Sequence, residues 1–117
     1  MLPSTQRLTD ADSFRHASRQ GRRTSSRTLV LHLAPSEAGV PAGPRVGFVV
    51  SKTVGNAVVR NRVKRRLRHL ARARVPLLPA SSLLVVRALP PAAAASSAEL
   101  ADDLDRCLSR VSTWNHA

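Results

Sequence analysis

Asn61 sits between two arginines, Arg60 and Arg62, and is followed by Lys64, Arg65 and Arg68. Guanidinium and ammonium groups at that density neutralise phosphates, and an amide among them can hydrogen-bond a ribose 2′-hydroxyl or a base edge. The chemistry on offer is recognition of a polyanion. From Arg45 to Arg74 there are ten basic residues and no acidic one. A helix that is charged only for solubility normally mixes signs, because like charges three or four residues apart repel. The unrelieved run therefore points to a nucleic-acid partner.

Residues that could catalyse are not arranged to do so. Asp10, Asp12, Glu37, Glu99, Asp102, Asp103 and Asp105 all lie outside the basic segment. Two groups of them suit helix N-termini, where a carboxylate complements the positive dipole end. His16, His32, His69 and His116 have no ligand spacing with one another or with Cys107. There is no Walker-type glycine loop and no nucleophile with an evident base. No catalytic and no metal-binding residue is assigned to the chain, and a stand-alone protein nuclease is not expected.

The elements that position the basic residues can be read from periodicity. Thr9–Gly21 reads as a first helix, with Thr9 as N-cap and Gly21 at its end. Arg22–Ser26 reads as a polar connector. Arg27–Ala34 alternates, with Thr28, Val30 and His32 on one face and Leu29, Leu31 and Leu33 on the other, which is strand periodicity. Pro35–Pro44 reads as a loop and Arg45–Ser51 as a second strand. A helix over about Asn56–Val75 follows, stopped by Pro76. Ser82–Ala88 is an apolar run consistent with a third, buried strand. Pro90–Ala95 is a low-complexity linker whose alanines could extend the last helix, Ser97–Val111, for which Ser97 is the expected N-cap. The order implies helices packed on a small sheet.

On the basic helix, Val59, Leu70, Val63 and Leu67 fall within roughly an 80° stripe, the width of a core-facing seam. Arg62, His69, Arg65, Arg72 and Arg68 occupy the opposite arc. Arg60 and Arg66 flank the stripe, where their stems can lie over the core edge. Gly55 and Asn56 permit a tight turn before it and leave backbone N–H groups free for a phosphate.

The chain has 117 residues, a net charge of +12 and 43% hydrophobic residues, enough for one domain with a modest core. A single domain over 1–117 is expected, ordered over about 7–112. The single cysteine excludes an internal disulfide framework. Met1–Leu8 shows no secretory pattern and no stretch approaches a bilayer span, so a cytoplasmic protein without a membrane partner is expected.

From Gly47 to Arg68 the sequence resembles the bacterial ribonuclease P protein component. The elements Ser51-Lys52, Val54-Gly55-Asn56-Ala57 and Arg60-Asn61-Arg62-x-Lys64-Arg65 match that family's signature in type and spacing. Similarity extends from Leu8 and Phe14 to the Leu84–Arg87 strand and the last helix. The resemblance implies an α+β two-layer sandwich, with three helices on a four-stranded sheet and a left-handed βαβ crossover. That fold is like the second domain of the fifth small-subunit ribosomal protein. Three strands are evident here, so a fourth must come from splitting one of them or from the loop.

The resemblance also implies a function. The protein would bind the ribonuclease P catalytic RNA and the 5′ leader of precursor tRNA, aiding Mg²⁺-dependent removal of the leader. The RNA subunit would hold Mg²⁺ and the catalytic centre. Arg60, Asn61, Arg62, Lys64, Arg65 and Arg68 would dock on the RNA subunit. Phe14, Val30, His32, Phe48 and Val50, with Ser51 and Lys52 at the edge, would line the leader cleft, where rings beside cations suit single-stranded RNA. Two positions depart from the family pattern: Ser18 stands where a second aromatic is common, and His32 where many members carry Tyr. The alternative is a ribosomal or ribosome-assembly RNA-binding protein without an enzymatic role. A DNA-binding module ranks third, because no short helix precedes the basic one as a helix-turn-helix requires.

Overall fold

The computed structural model describes residues 22–35, 44–78 and 82–114. The expected first helix, with Phe14 and Ser18, lies outside them, as does most of the expected loop. Four strands form one mixed sheet: β1 (Arg22–Ser25), β2 (Leu29–Pro35), β3 (Arg45–Val49) and β4 (Ser82–Ala88), in the spatial order β1-β2-β4-β3. β1 with β2 and β2 with β4 pair antiparallel, while β3 pairs parallel to β4. Joining parallel neighbours needs a crossover. The helix α1 (Ala57–Arg74) supplies it, and the last helix, α2 (Ser97–Trp114), follows β4.

The fourth strand corrects the sequence reading. It comes neither from the loop nor from splitting another strand, but from the stretch read as a connector. Arg22–Ser25 has no apolar alternation; its extension is fixed by pairing with Val30–Leu33. Its one buried side chain, Thr24, donates from Oγ1 to the Cys107 carbonyl at 3.2 Å, tying this edge to α2. Thr28, fully buried, donates likewise to the Asp103 carboxylate.

α1 begins where the amide of Asn56 accepts a hydrogen bond from Val59 N–H at 3.0 Å, an N-cap. The turn before it runs close to the helix: a Cβ on Gly55 would lie 2.9 Å from the Val59 Cβ. Val75–Leu77 forms a single 3₁₀ turn containing Pro76, whose missing N–H ends the α-helical ladder. The cap of α2 is Ser96, not Ser97. Its hydroxyl accepts from Glu99 N–H and its own N–H donates to the Glu99 carboxylate, both at 3.1 Å, a reciprocal capping box. Pro90–Ala93 is a separate 3₁₀ turn and does not extend α2.

Strand alternation decides which side chains meet the helices. Leu29, Leu31 and Leu33 of β2, Leu84, Val86 and Ala88 of β4, and Val46 of β3 join Val63, Leu67 and Ala71 of α1 and Leu100, Leu104, Cys107, Leu108 and Val111 of α2 in one core. Burying a leucine contributes about 1.5–3 kcal/mol, so this layer holds both helices to the sheet. The opposite face of the sheet is also shielded in part: Val30, Ala34, Leu83 and Val85 are buried there.

Candidate nucleic-acid interface

α1 is held to the sheet by Val63, Leu67 and Ala71, with Val59 and Leu70 half-buried beside them. The buried stripe thus sits farther toward Ala71 than the sequence reading placed it, and a continuous polar arc remains. Asn61, Arg62, Arg65, His69 and Arg72 are exposed; Arg60, Lys64 and Arg68 are half-buried along the flank. Asn61, Lys64, Arg65, Arg68 and His69 line an open groove of about 380 Å³. From Asn61 to Arg72 the arc extends about 16 Å at 1.5 Å per residue, enough to meet several phosphates of one strand.

The basic residues of α1 divide by what they touch. Arg62 donates to the Ala93 carbonyl at 3.1 Å and Arg66 to the Ala95 carbonyl at 3.0 Å, strapping Pro90–Ala95 against the helix. Arg74 pairs with Asp105 of α2 and donates to the Leu70 carbonyl, and its guanidinium holds the Asp105 carboxyl below its usual range. Arg60, Lys64, Arg65, Arg68 and Arg72 have no side-chain partner among the described residues. The Nε atoms of Arg60 and Arg68 are cut off from solvent without an acceptor. Unsatisfied buried donors are costly, and a ligand oxygen relieves them. No acidic residue lies in the first turn of α1, so beyond the neutral Asn56 cap no carboxylate there offsets the positive end of its dipole.

The structure brings all six residues expected to bind the RNA subunit onto this helix, with Arg62 already half-committed to Ala93. It divides those expected to line the leader cleft. Val30 and His32 project from the sheet face away from α1 and α2. Phe48 lies beside Val86 in register and packs, with Val50, against the core under the helices. The expected grouping of Phe48 and Val50 with Val30 and His32 on one face is therefore corrected: β3 alternation turns Phe48 to the helix side. Ser51 and Lys52 are exposed in the turn leading to α1. Phe14 lies outside the described residues.

Two residues absent from the sequence reading join His32. Arg23 is its direct neighbour on β1, and Arg87 of β4 lies opposite Val30, one step along the same face. Both arginines are exposed and without a side-chain partner among the described residues. Burial, then the charges of Arg23 and Arg87, lower the His32 pKa from its ordinary value. The parity of β4, with Val85 and Arg87 on one face, was a signal that could have placed Arg87.

A model of the ribonuclease P family matches residues 2–112. The chain belongs to the ribonuclease P protein family. The ribonuclease P protein component of a Nocardioides species is 62% identical over 111 residues, 95% of each chain. That of Acidothermus cellulolyticus is 52% identical, covering 95% of this chain and 92% of its own. Among solved structures, the Staphylococcus aureus RNase P protein superposes with a TM-score of 0.78 at 24% identity, over 89% of this chain and 93% of that one. The Thermotoga maritima RNase P protein gives 0.76 at 21% identity, over 90% and 96%. At that identity the structural likeness speaks for the fold, while the sequence relatives carry the role: a protein subunit of ribonuclease P, acting in tRNA processing.

Proposed function

We propose that this subunit joins ribonuclease P by laying the α1 groove on the catalytic RNA, and that it holds the 5′ leader of precursor tRNA on the sheet face opposite the helices. The observation that carries the first part is the groove: Lys64, Arg65 and Arg68 around Asn61, with no carboxylate among the described residues to neutralise them. Arg60 and Arg62 extend the same surface. His32, with Ser51 and Lys52 at the turn, gives the leader a flat ring and hydrogen-bonding groups, while Val30, buried, supports the face from within. Phe48 and Val50 serve that surface from beneath, by fixing β3 against the core. A third helix, expected over Thr9–Gly21, is part of the same proposal. The left-handed β3–α1–β4 crossover implied by the family resemblance belongs to the same proposal.

Hydrolysis is assigned to the RNA subunit. A groove lined by cations does not suit a divalent ion, and among the described residues no three His, Cys, Asp or Glu side chains gather to hold one. Mg²⁺ would be held by the RNA and the substrate and would stabilise charge at the scissile phosphate. The protein would add leader affinity, separating precursor from product, and would reduce phosphate repulsion so that less Mg²⁺ is needed. A cytoplasmic site of action goes with this role; no described helix is long and apolar enough to cross a membrane.

Comparing the affinity of the reconstituted holoenzyme for precursor and for mature tRNA tests the leader assignment. Precursor should bind more tightly, and trimming the leader should remove the difference. Equal affinities with a folded, assembled subunit would refute it. Preference of the isolated subunit for ribosomal RNA over the ribonuclease P RNA would refute the docking assignment.

A further inference from the structure

Three adjacent strands bring Arg23, His32 and Arg87 together on the sheet face away from the helices. β1 sets Arg23 directly beside His32, and β4 sets Arg87 diagonally across from it. On β2 itself His32 is the one titratable residue, and α1 and α2 pack on the other side of the sheet. Among the described residues no carboxylate pairs with either arginine. The His32 ring is half-buried, and its Nδ1 is shielded from solvent with no hydrogen-bond partner.

We infer that Arg23, His32 and Arg87 form a site for one phosphodiester of single-stranded RNA, and that His32 takes up a proton when the phosphate arrives. The inference rests on the reading of this face as the leader surface. In the free protein the neutral ring is favoured: it is partly desolvated, lies between two fixed cations, and a proton on Nδ1 would lack an acceptor. A phosphate between the arginines reverses the local sign of charge and supplies ligand oxygens as acceptors. The imidazolium is then the favoured form. No covalent bond changes; one proton passes from solvent to the ring as the ligand binds.

The sign of the pH dependence follows. The His32 pKa is low in the free protein and higher in the complex. The affinity gain is full below the free value and is lost as pH rises through the bound value. A one-unit rise on binding gives at most about a tenfold effect on affinity.

The test is single-turnover kcat/KM of the reconstituted holoenzyme on two precursors, one with a full leader and one with the leader trimmed to a single nucleotide, from pH 5.5 to 8. Their ratio isolates the leader, because the pH dependence of the chemical step is common to both. The ratio should fall several-fold, up to about tenfold, across that range. His32→Tyr keeps a flat ring and a donor but does not titrate here, so its ratio should be flat. The double change Arg23→Gln with Arg87→Gln, at two exposed positions, should give a low, flat ratio. A large leader ratio that ignores pH, or one whose pH dependence survives His32→Tyr, overturns the inference and leaves the leader surface standing. A ratio near one at every pH overturns the leader reading itself, and the inference with it.

Discussion

Replacing Lys64, Arg65 and Arg68 together by glutamine should change how steeply RNA docking depends on salt. Five cations of α1, Arg60, Lys64, Arg65, Arg68 and Arg72, have no partner among the described residues and so remain available to phosphates. Each phosphate neutralised on a duplex-like RNA adds about 0.9 to the slope of log K against log salt, so five contacts give a slope near 4.5. Between 50 and 200 mM salt that slope lowers affinity about 500-fold, whereas the two contacts left in the triple variant lower it only about 12-fold. The assay is equilibrium binding to the ribonuclease P RNA across that salt range, with circular dichroism to show that the variant folds. Arg66→Gln is the internal control. Its guanidinium is engaged with the Ala95 carbonyl, so it should lose some stability and keep the parent slope. A triple variant with an unchanged slope would refute the assignment of this groove to phosphates, whatever its effect on affinity at one salt concentration.

Other outcomes follow from the scaffold. Gly55→Ala sets a methyl 2.9 Å from the Val59 Cβ, and should cost about 1–3 kcal/mol in chemical denaturation as the entry to α1 shifts. Ser96→Ala removes half of the α2 capping box and should cost about 1 kcal/mol, read as a lowered thermal midpoint. Asp105 has its pKa lowered by Arg74, so the pair stabilises the fold above the unfolded carboxyl value and loses that contribution as pH falls through the folded one. With Asp105 about half exposed, that acid-side loss should stay below about 1 kcal/mol and vanish in Asp105→Asn.

The parts of the fold that repeat along the chain were legible in the sequence. β2 carries a period of two and α1 one of 3.6, while β4 shows as a bounded apolar run, and the structure agrees with each to within a residue or two. β1 was missed for a physical reason: a four-residue polar edge strand has no hydrophobic period, and only its partner strand makes it extended. The α2 cap was misplaced by one residue although the signal was present, since the Ser-x-x-Glu spacing counts from Ser96. The α1 groove could be read because helical geometry alone groups Asn61, Lys64, Arg65 and Arg68. The Arg23–His32–Arg87 cluster could not, because it depends on the register of three strands far apart in the chain. Phe48 shows the reverse case: the family resemblance implied a leader contact, and strand parity turns the ring to the helix side, against the core.

The central claim is that this subunit acts within ribonuclease P by binding both the RNA and the leader. Its most direct test is precursor-tRNA cleavage by the cognate bacterial ribonuclease P RNA at low Mg²⁺, with and without the protein. The account predicts strong stimulation that disappears when the 5′ leader is trimmed to a stub. Absence of stimulation by a demonstrably folded protein would contradict it.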